Sequence, residues 1–197
     1  MWYWAVRIAA IIIFKLFFRL KVEGLVNLYK KSNFIVVANH GSFLDPFVLS
    51  AAIPHKIHYL ASRDLYKVPF VKWALHRLEA TPTGSASEKA VEYLLKGKNV
   101  GLFPEGGCSR DGKLRDFRRG VALLAHKTGR PVIPCAILGT YEALPVKAKW
   151  PKFLPLKVKI GTPICLLKEF DDLIDDVFLQ EGVFRIRKAI KELVDAG

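Results

Sequence analysis

Apolar positions follow two different patterns along this chain, and the change between them divides it into two parts. Residues 2–20 are almost all apolar, which predicts a single helix with little polar surface. From about residue 33 onward, short runs rich in β-branched residues alternate with longer segments of helical period. That alternation is typical of an α/β layered fold. We therefore predict a membrane-associating helix at 1–20 and one α/β domain at 21–197.

Five short segments are predicted as strands of a central sheet. Four of them are runs of mostly apolar residues, which are expected of strands covered on both faces. The fifth alternates apolar residues with Lys157 and Lys159, which favours a half-exposed strand at the edge of the sheet. The four buried strands are predicted at 34–38, 57–61, 100–103 and 132–137, and the edge strand at 156–160.

Three helices are predicted between and after these strands, at 85–96, 117–127 and 182–196. Ser85 is the expected cap of the first, and Glu88 follows three residues later as in a capping box. Gly129 and Pro131 stop the second helix, and the third is amphipathic. In an alternation of this kind the loops at the strand ends carry function.

Charged residues interrupt the predicted N-terminal helix too often for a simple membrane span. Its longest uninterrupted apolar stretch, 8–14, is shorter than the roughly 20 residues that cross a bilayer. At about 100° per residue, Arg7, Lys15 and Arg19 share one flank and apolar side chains cover most of the rest. A basic stripe on such a helix favours a position in the interface of an anionic membrane. A tilted span and a helix packed inside the protein stay open.

Charge and cysteine content restrict the partners. The chain has 31 Lys and Arg against 18 Asp and Glu, a net charge of +13. This balance predicts anionic partners such as a membrane surface, a phosphorylated substrate, an acidic carrier protein or nucleic acid. No recognisable nucleic-acid-binding module is present, so we expect no nucleic acid. Cys108, Cys135 and Cys165 are odd in number and far apart, which argues against a disulfide framework and a zinc cluster. We expect no metal and no cofactor.

His40 and Asp45 are the first candidate catalytic pair, in the loop after the strand at 34–38. On a continuous helix this spacing would point the two side chains about 140° apart. Gly41 and Ser42 favour a turn instead, and Pro46 favours a helix that starts just after Asp45. The carboxylate would then orient the imidazole, which would act as general base on a substrate hydroxyl. By spacing alone, a surface histidine beside a helix cap is the commoner explanation of such a pair.

The second candidate is the segment 103–110, Phe-Pro-Glu-Gly-Gly-Cys-Ser-Arg, which follows another predicted strand. Glycines at a strand end let the backbone approach a ligand closely, and an acid there can accept hydrogen bonds from hydroxyls. In isolation an ordinary β-turn is the alternative reading.

Taken together, Asn-His-x4-Asp at 39–45 followed by Phe-Pro-Glu-Gly at 103–106 resembles the signature of the glycerolipid acyltransferases, notably the 1-acylglycerol-3-phosphate acyltransferases. The resemblance extends over about residues 20–165. It includes Ser109-x-Asp-Gly-x-Leu-x-x-Phe-x-x-Gly120, Pro-Val-Ile-Pro at 131–134 and Gly-Thr-Pro at 161–163.

The resemblance implies a glycerol-3-phosphate acyltransferase-like α/β domain, with a mixed central sheet flanked by helices and an N-terminal membrane-binding helix. It implies transfer of a fatty acyl group from acyl carrier protein or acyl-CoA to the free hydroxyl of a lysolipid, in the first place 1-acylglycerol-3-phosphate, giving phosphatidic acid. The expected location is the cytoplasmic side of the cell membrane, as a peripheral or monotopic protein. His40 would be the base and Asp45 its partner. The acceptor would bind at Glu105, Gly106, Ser109 and Arg110.

The chain departs from the family pattern at two places associated with the acceptor's phosphate. Gly107 and Cys108 stand where the family commonly has Thr-Arg, and the block 78–83, ending in Thr83, lacks the usual arginine. Neither Cys nor Thr replaces a guanidinium, whose fork binds two phosphate oxygens. Either other cations substitute, or the acceptor is a lysophospholipid with a larger head group or a lyso-aminolipid. The candidate cations are Arg63, Arg77, Arg110, Arg115 and Arg118.

Three further hypotheses stay open beside this one. Cys108 adjoins the predicted site and is a possible covalent nucleophile, although direct transfer needs none. His55 and His58 have metal-pair spacing, but we expect them to pack or lie at the surface because further ligands are lacking. A catalytically silent membrane-binding protein would also use the basic surface.

Overall fold

The fold is a mixed β-sheet between two layers of helices. In a computed structural model, the residues described are 2–28, 33–61, 76, 80–82, 86–166 and 175–197. These residues form the strands β1 (Lys21–Glu23), β2 (Ile35–Ala38), β3 (Ile57–Ala61), β4 (Thr81–Pro82), β5 (Asn99–Leu102), β6 (Val132–Leu138) and β7 (Lys157–Ile160). Their helices are α1 (Trp2–Leu16), α2 (Asp45–Ala52), α3 (Ala86–Leu95), α4 (Gly120–Thr128), α5 (Thr140–Ala143) and α6 (Asp176–Asp195), with a short 3-10 helix at Leu25–Asn27.

The order of the strands brings the two sequence motifs to one edge of the sheet. The strands lie in the order β1-β7-β6-β2-β5-β3-β4, and every neighbouring pair is parallel except β6 and β7. β2 pairs with β5, with Ile35 opposite Val100. The loops that follow these two parallel strands therefore leave the sheet side by side, where ligands bind in open α/β folds. The predicted mixed α/β fold is confirmed.

The apolar runs become the buried strands because helices cover both faces. All four residues of β2 are buried. One layer contains α1 and α2, and its core includes Phe14, Phe18, Leu49 and Ile53. The opposite layer contains α3, α4 and α6, and its core includes Leu94, Val121, Ala125, Ile186 and Ile190.

The prediction that β7 is the edge strand is wrong. Its burial alternates as expected, with Val158 and Ile160 buried, but β1 pairs with its outer side. β1 has only three residues, and Lys21 and Glu23 are charged, so no apolar run marked it as a strand. An edge strand with charged side chains is a common protection against pairing with other chains.

Two helix starts differ from the sequence predictions. α4 begins at Gly120 rather than at residue 117, because the preceding backbone is bonded to the second motif: Arg118 N donates to Pro104 O at 2.9 Å. Its end is confirmed at Gly129, which has a φ of 63°. α6 begins at Asp176 rather than 182, since the Asp175 carboxylate accepts a hydrogen bond from Val177 N. α3 is confirmed, but its predicted cap Ser85 lies outside the described residues.

The predicted basic stripe on the N-terminal helix is also wrong. α1 ends at Leu16, so Arg19, with a φ of 48°, is no longer on it. Arg7 turns toward α2 and donates from Nε to Ser50 O at 2.9 Å. Only Lys15 is left on the outward side, which is otherwise apolar: Trp4, Ile8, Ile12, Ile13 and Leu16 are exposed. Within the described ranges, no helix combines the length and apolar character needed to cross a membrane.

Candidate active site

His40 and Asp45 are in direct contact, as the sequence predicted. His40 lies in the loop after β2, and Asp45 is the first residue of α2. The loop between them turns back, so that His40 Nδ1 is 2.8 Å from Asp45 Oδ2. Asp45 is fully buried, whereas the His40 side chain keeps 13% of its surface exposed. The pair therefore has a protected carboxylate and an imidazole that a substrate can reach.

The Asp45 carboxylate also holds the turn itself. Its Oδ2 atom accepts hydrogen bonds from Gly41 N at 2.8 Å and from Ser42 N at 2.9 Å. A negative charge in the first turn of a helix is favourable because the helix dipole is positive there. The Ser42 hydroxyl donates to Leu144 O, which fixes the loop from a second side. These contacts explain why a five-residue separation places the two side chains together.

The charge state of His40 depends on both of its neighbours. Burial by itself would lower the pKa of His40, but the Asp45 carboxylate and the Cys108 thiol outweigh it and raise the pKa to about 9. The imidazolium is therefore favoured near neutral pH while the thiol occupies the site.

Glu105 from the second motif holds the backbone of His40. Its Oε1 atom accepts from His40 N at 2.8 Å, and its Oε2 atom accepts from Arg115 N at 3.2 Å. Burial raises the pKa of this carboxyl, although the two backbone hydrogen bonds oppose that increase. The carbonyl of His40 is also held by the second motif, since Ser109 N donates to His40 O at 2.7 Å. The two motifs are thus joined through the main chain of His40.

Three contacts of the site were not predicted from the sequence. The Phe103 ring stacks on the His40 imidazole with a centroid distance of 4.2 Å and an interplanar angle of 20°. Cys108 Sγ lies 3.2 Å from His40 Nε2. The Asn39 amide exchanges two hydrogen bonds with the backbone of Ile137 in β6. The signal for Phe103 was its position at the end of a strand; pairing of β5 with β2 brings it to His40.

The His–Asp pair and the Pro-Glu-Gly loop both lie in a segment that matches a known protein family. A model of the Acyltransferase family matches residues 19–138, more than half of the chain. The chain belongs to the Acyltransferase family.

Individual relatives agree with this membership. A chloroplast 1-acyl-sn-glycerol-3-phosphate acyltransferase of Arabidopsis thaliana is 31% identical over 138 residues, 66% of this chain and 38% of that protein. A 1-acyl-sn-glycerol-3-phosphate acyltransferase of Borreliella burgdorferi is 34% identical over 129 residues, 60% of this chain and 51% of that protein. The chain thus spans between 38% and 51% of the length of these curated relatives.

A solved structure matches almost the whole chain. The crystal structure of the 1-acyl-sn-glycerophosphate acyltransferase PlsC from Thermotoga maritima is 31% identical and superposes with a TM-score of 0.76. The match covers 97% of this chain and 79% of that one. The mixed sheet with flanking helices is therefore the family fold.

In this acyltransferase-family chain, two arginines lie beside the loop 103–110, which has Cys108 where an arginine was expected. Gly106 has a φ of 74°, and a Cβ built there would be 2.4 Å from Arg118 Nε. A Cβ on Gly107 would be 4.0 Å from Arg115 Nη1. Both arginine side chains are exposed, and neither has an ion-pair partner in the described part of the chain. Arg63, Arg77 and Thr83 lie outside it.

The other predicted site residues are near the pair but are engaged with the protein. The Ser109 hydroxyl donates to Asp111 Oδ1 at 2.9 Å. Arg110 is exposed, and its carbonyl accepts from the Tyr141 hydroxyl. Their roles in substrate binding, like those of Glu105 and Gly106, stay predictions. His55 packs against Phe34 and His58 against Tyr93, at centroid distances of 5.3 and 4.6 Å.

Proposed function

We propose that this protein transfers a fatty acyl group from a thioester donor to the free hydroxyl of 1-acylglycerol-3-phosphate, giving phosphatidic acid. The observation that carries the proposal is the buried Asp45 carboxylate on His40 Nδ1, which leaves Nε2 as the ring nitrogen for a substrate. With a proton on Nδ1 donated to Asp45, Nε2 has a lone pair and can accept a proton.

The reaction follows from this assignment in two proton movements. His40 Nε2 takes the proton of the acceptor hydroxyl as its oxygen attacks the thioester carbonyl carbon. Collapse of the tetrahedral intermediate breaks the C–S bond, and the imidazolium returns the proton to the departing thiol. Asp45 stabilises the imidazolium between these movements without accepting its proton. The net change is one ester formed and one thioester consumed.

Glu105 acts on this chemistry by positioning rather than by contact with the reacting atoms. Its carboxylate holds the His40 amide, so the imidazole stays over the Phe103 ring and in line with Asp45. Holding a general base in one rotamer supports the rate because the reacting atoms meet in a productive geometry. The expected contacts of Glu105, Gly106, Ser109 and Arg110 with the acceptor belong to this proposal.

The two exposed arginines beside the Pro-Glu-Gly loop, Arg115 and Arg118, favour an acceptor with a phosphate group. Arg118 lies against Gly106 and Arg115 is near Gly107, so guanidinium charge is available next to the loop despite the replacement by Cys108. A guanidinium binds a phosphomonoester through two parallel hydrogen bonds. We therefore rank 1-acylglycerol-3-phosphate above a lysophospholipid or a lyso-aminolipid as acceptor.

The proposal includes binding to a membrane, from which the lipid acceptor would be drawn. The exposed apolar side of α1 is the support for this part, since large unpartnered apolar faces mark interaction sites. We propose a peripheral or monotopic protein on the cytoplasmic side of the cell membrane, with residues 1–20 as the anchor. The donor is acyl carrier protein or acyl-CoA, each of which is anionic and suits the positive net charge.

The test is an acceptor panel with the full-length protein. Each donor is combined with 1-acylglycerol-3-phosphate, a lysophospholipid and a lyso-aminolipid, and diacyl products are detected by mass spectrometry. We expect phosphatidic acid, and we expect His40→Ala to abolish it. His55→Gln is the matched control, because His55 precedes β3 and so lies at the opposite edge of the sheet. Full activity in His40→Ala would overturn the mechanism.

A further inference from the structure

The segment between α5 and β7, residues 145–155, exposes aromatic side chains that the proposed chemistry does not use. We call it the Trp150 loop. Its sequence is Pro-Val-Lys-Ala-Lys-Trp-Pro-Lys-Phe-Leu-Pro. Trp150 is 83% exposed and Phe153 is 64% exposed, the former among the most exposed large apolar side chains of the described residues. Exposure of an aromatic ring to water is unfavourable relative to burial, so such a ring indicates a binding surface.

The charge of the Trp150 loop indicates what kind of surface it binds. Lys147, Lys149 and Lys152 are exposed, and none of them has an ion-pair partner where the structure describes the chain. The sequence has no acidic residue between Glu142 and Glu169. Tryptophan beside lysines is typical of a membrane interface, where the ring lies at the level of the head groups and each cation attracts anionic lipids.

The Trp150 loop is continuous with the apolar side of α1. The Phe153 ring contacts Phe17 at 5.5 Å and Phe18 at 5.3 Å between centroids, just after the end of α1. The loop is also fixed at both ends: Lys152 N donates to Ala143 O, and Leu156 N donates to Phe18 O. A fixed loop adds binding energy without a large loss of conformational entropy.

The base of the Trp150 loop also contacts the turn between His40 and Asp45. Leu144 O, directly before the Trp150 loop, accepts the hydrogen bond from the Ser42 hydroxyl. The base of the Trp150 loop therefore lies next to the turn between His40 and Asp45, which suits an acceptor drawn from a membrane bound to this loop.

We propose that the Trp150 loop is a second membrane-binding element that, together with α1, binds an anionic bilayer through Trp150, Phe153 and the three lysines. This inference rests on the proposed membrane association of the protein. It adds a membrane-binding site outside residues 1–20. It also predicts that α1 alone does not account for the affinity of the protein for an anionic membrane.

The experiment measures partition of the full-length protein onto vesicles of phosphatidylcholine alone and of phosphatidylcholine with phosphatidylglycerol. We expect Trp150→Ala and, separately, the charge reversal Lys147→Glu with Lys149→Glu to reduce partition onto the anionic vesicles about tenfold or more. Phe184→Ala is the matched control, since Phe184 is 62% exposed but lies on α6 in the opposite layer. Trp150 makes so little contact with the fold that its loss should leave the melting temperature unchanged.

Acyl transfer to a short-chain, water-soluble acceptor is measured in parallel. Wild-type protein that binds vesicles but transfers no acyl group would contradict the proposed function and leave the second element supported. The second element is overturned if Trp150→Ala and the lysine variant partition like Phe184→Ala. It is also overturned if wild-type protein binds neutral and anionic vesicles equally.

Discussion

Cys108 Sγ lies 3.2 Å from His40 Nε2, the ring nitrogen that does not face Asp45. In the proposed mechanism, the thiol occupies the position from which the acceptor hydroxyl would reach His40. The contact gives Cys108 two possible relations to the reaction: a nucleophile in a Cys–His–Asp arrangement, or a side chain that the acceptor displaces.

Replacement of Cys108 by alanine distinguishes these relations. Direct transfer needs no enzyme nucleophile, so we expect Cys108→Ala to keep its kcat within about tenfold of wild type, far above His40→Ala. Acid-quenched mixtures of wild-type protein with donor alone are then analysed by mass spectrometry, and no acyl adduct is expected. A thioester on Cys108, together with loss of activity in Cys108→Ala, would establish the covalent route instead.

Alkylation of Cys108 should inactivate the enzyme. A carboxamidomethyl group on Sγ fills the space beside His40 Nε2, so we expect iodoacetamide to abolish transfer to every acceptor and Cys108→Ala to be resistant. The chain supplies its own controls. Cys165 is exposed, so we expect it to react without effect on activity and Cys165→Ser to be inactivated as fast as wild type. Cys135 is buried, and burial raises the pKa of its thiol, so it should not react. Resistance of the wild type would refute the displacement model.

The pH dependence of kcat/KM should report His40. A general base acts when it is deprotonated, and Asp45 and Cys108 raise the pKa of free His40 to about 9. We therefore expect kcat/KM to increase with pH through that value and then level off. Cys108→Ala removes one of the two groups that raise the pKa, so its profile should shift toward lower pH. Asp45→Asn should shift it further and lower the plateau by about 10²–10⁴-fold. A profile unaffected by either change would exclude His40 as the titrating group.

Arg118 should determine the preference for phosphate. A charge-assisted hydrogen bond is worth about 1.5–3 kcal/mol, so we expect Arg118→Ala to reduce kcat/KM for 1-acylglycerol-3-phosphate about 10- to 100-fold. Activity toward an acceptor without a phosphomonoester should change little. Arg119→Ala is the matched control, because Arg119 is paired with Asp176 at 2.6 Å. An equal loss toward both acceptors would mean that Arg118 supports the loop rather than the phosphate.

Much of the site was predictable because its signals are local. The turn between His40 and Asp45 could be inferred from glycine, serine and proline at fixed positions, and it forms with the expected contact. Apolar runs predicted the strands β2, β3, β5 and β6. The end of α4 was predicted from Gly129, because glycine favours the αL conformation found there. Prediction from local sequence missed β1, because its charged residues form no apolar run. It also placed the start of α4 too early, because a hydrogen bond to a distant residue holds the preceding backbone.

The sequence by itself determined which residues the proposed chemistry uses: a His–Asp pair and a Pro-Glu-Gly loop, with departures from the family pattern at Gly107 and Cys108 and in the block 78–83. Only the tertiary structure decided how these parts meet. Parallel pairing of β2 with β5 joins residues 65 positions apart, so Glu105 holds the His40 backbone. The same pairing brings Cys108 to Nε2, and the link from Arg118 N to Pro104 O brings a guanidinium to Gly106. Such contacts depend on strand order, which no local pattern of residues specifies.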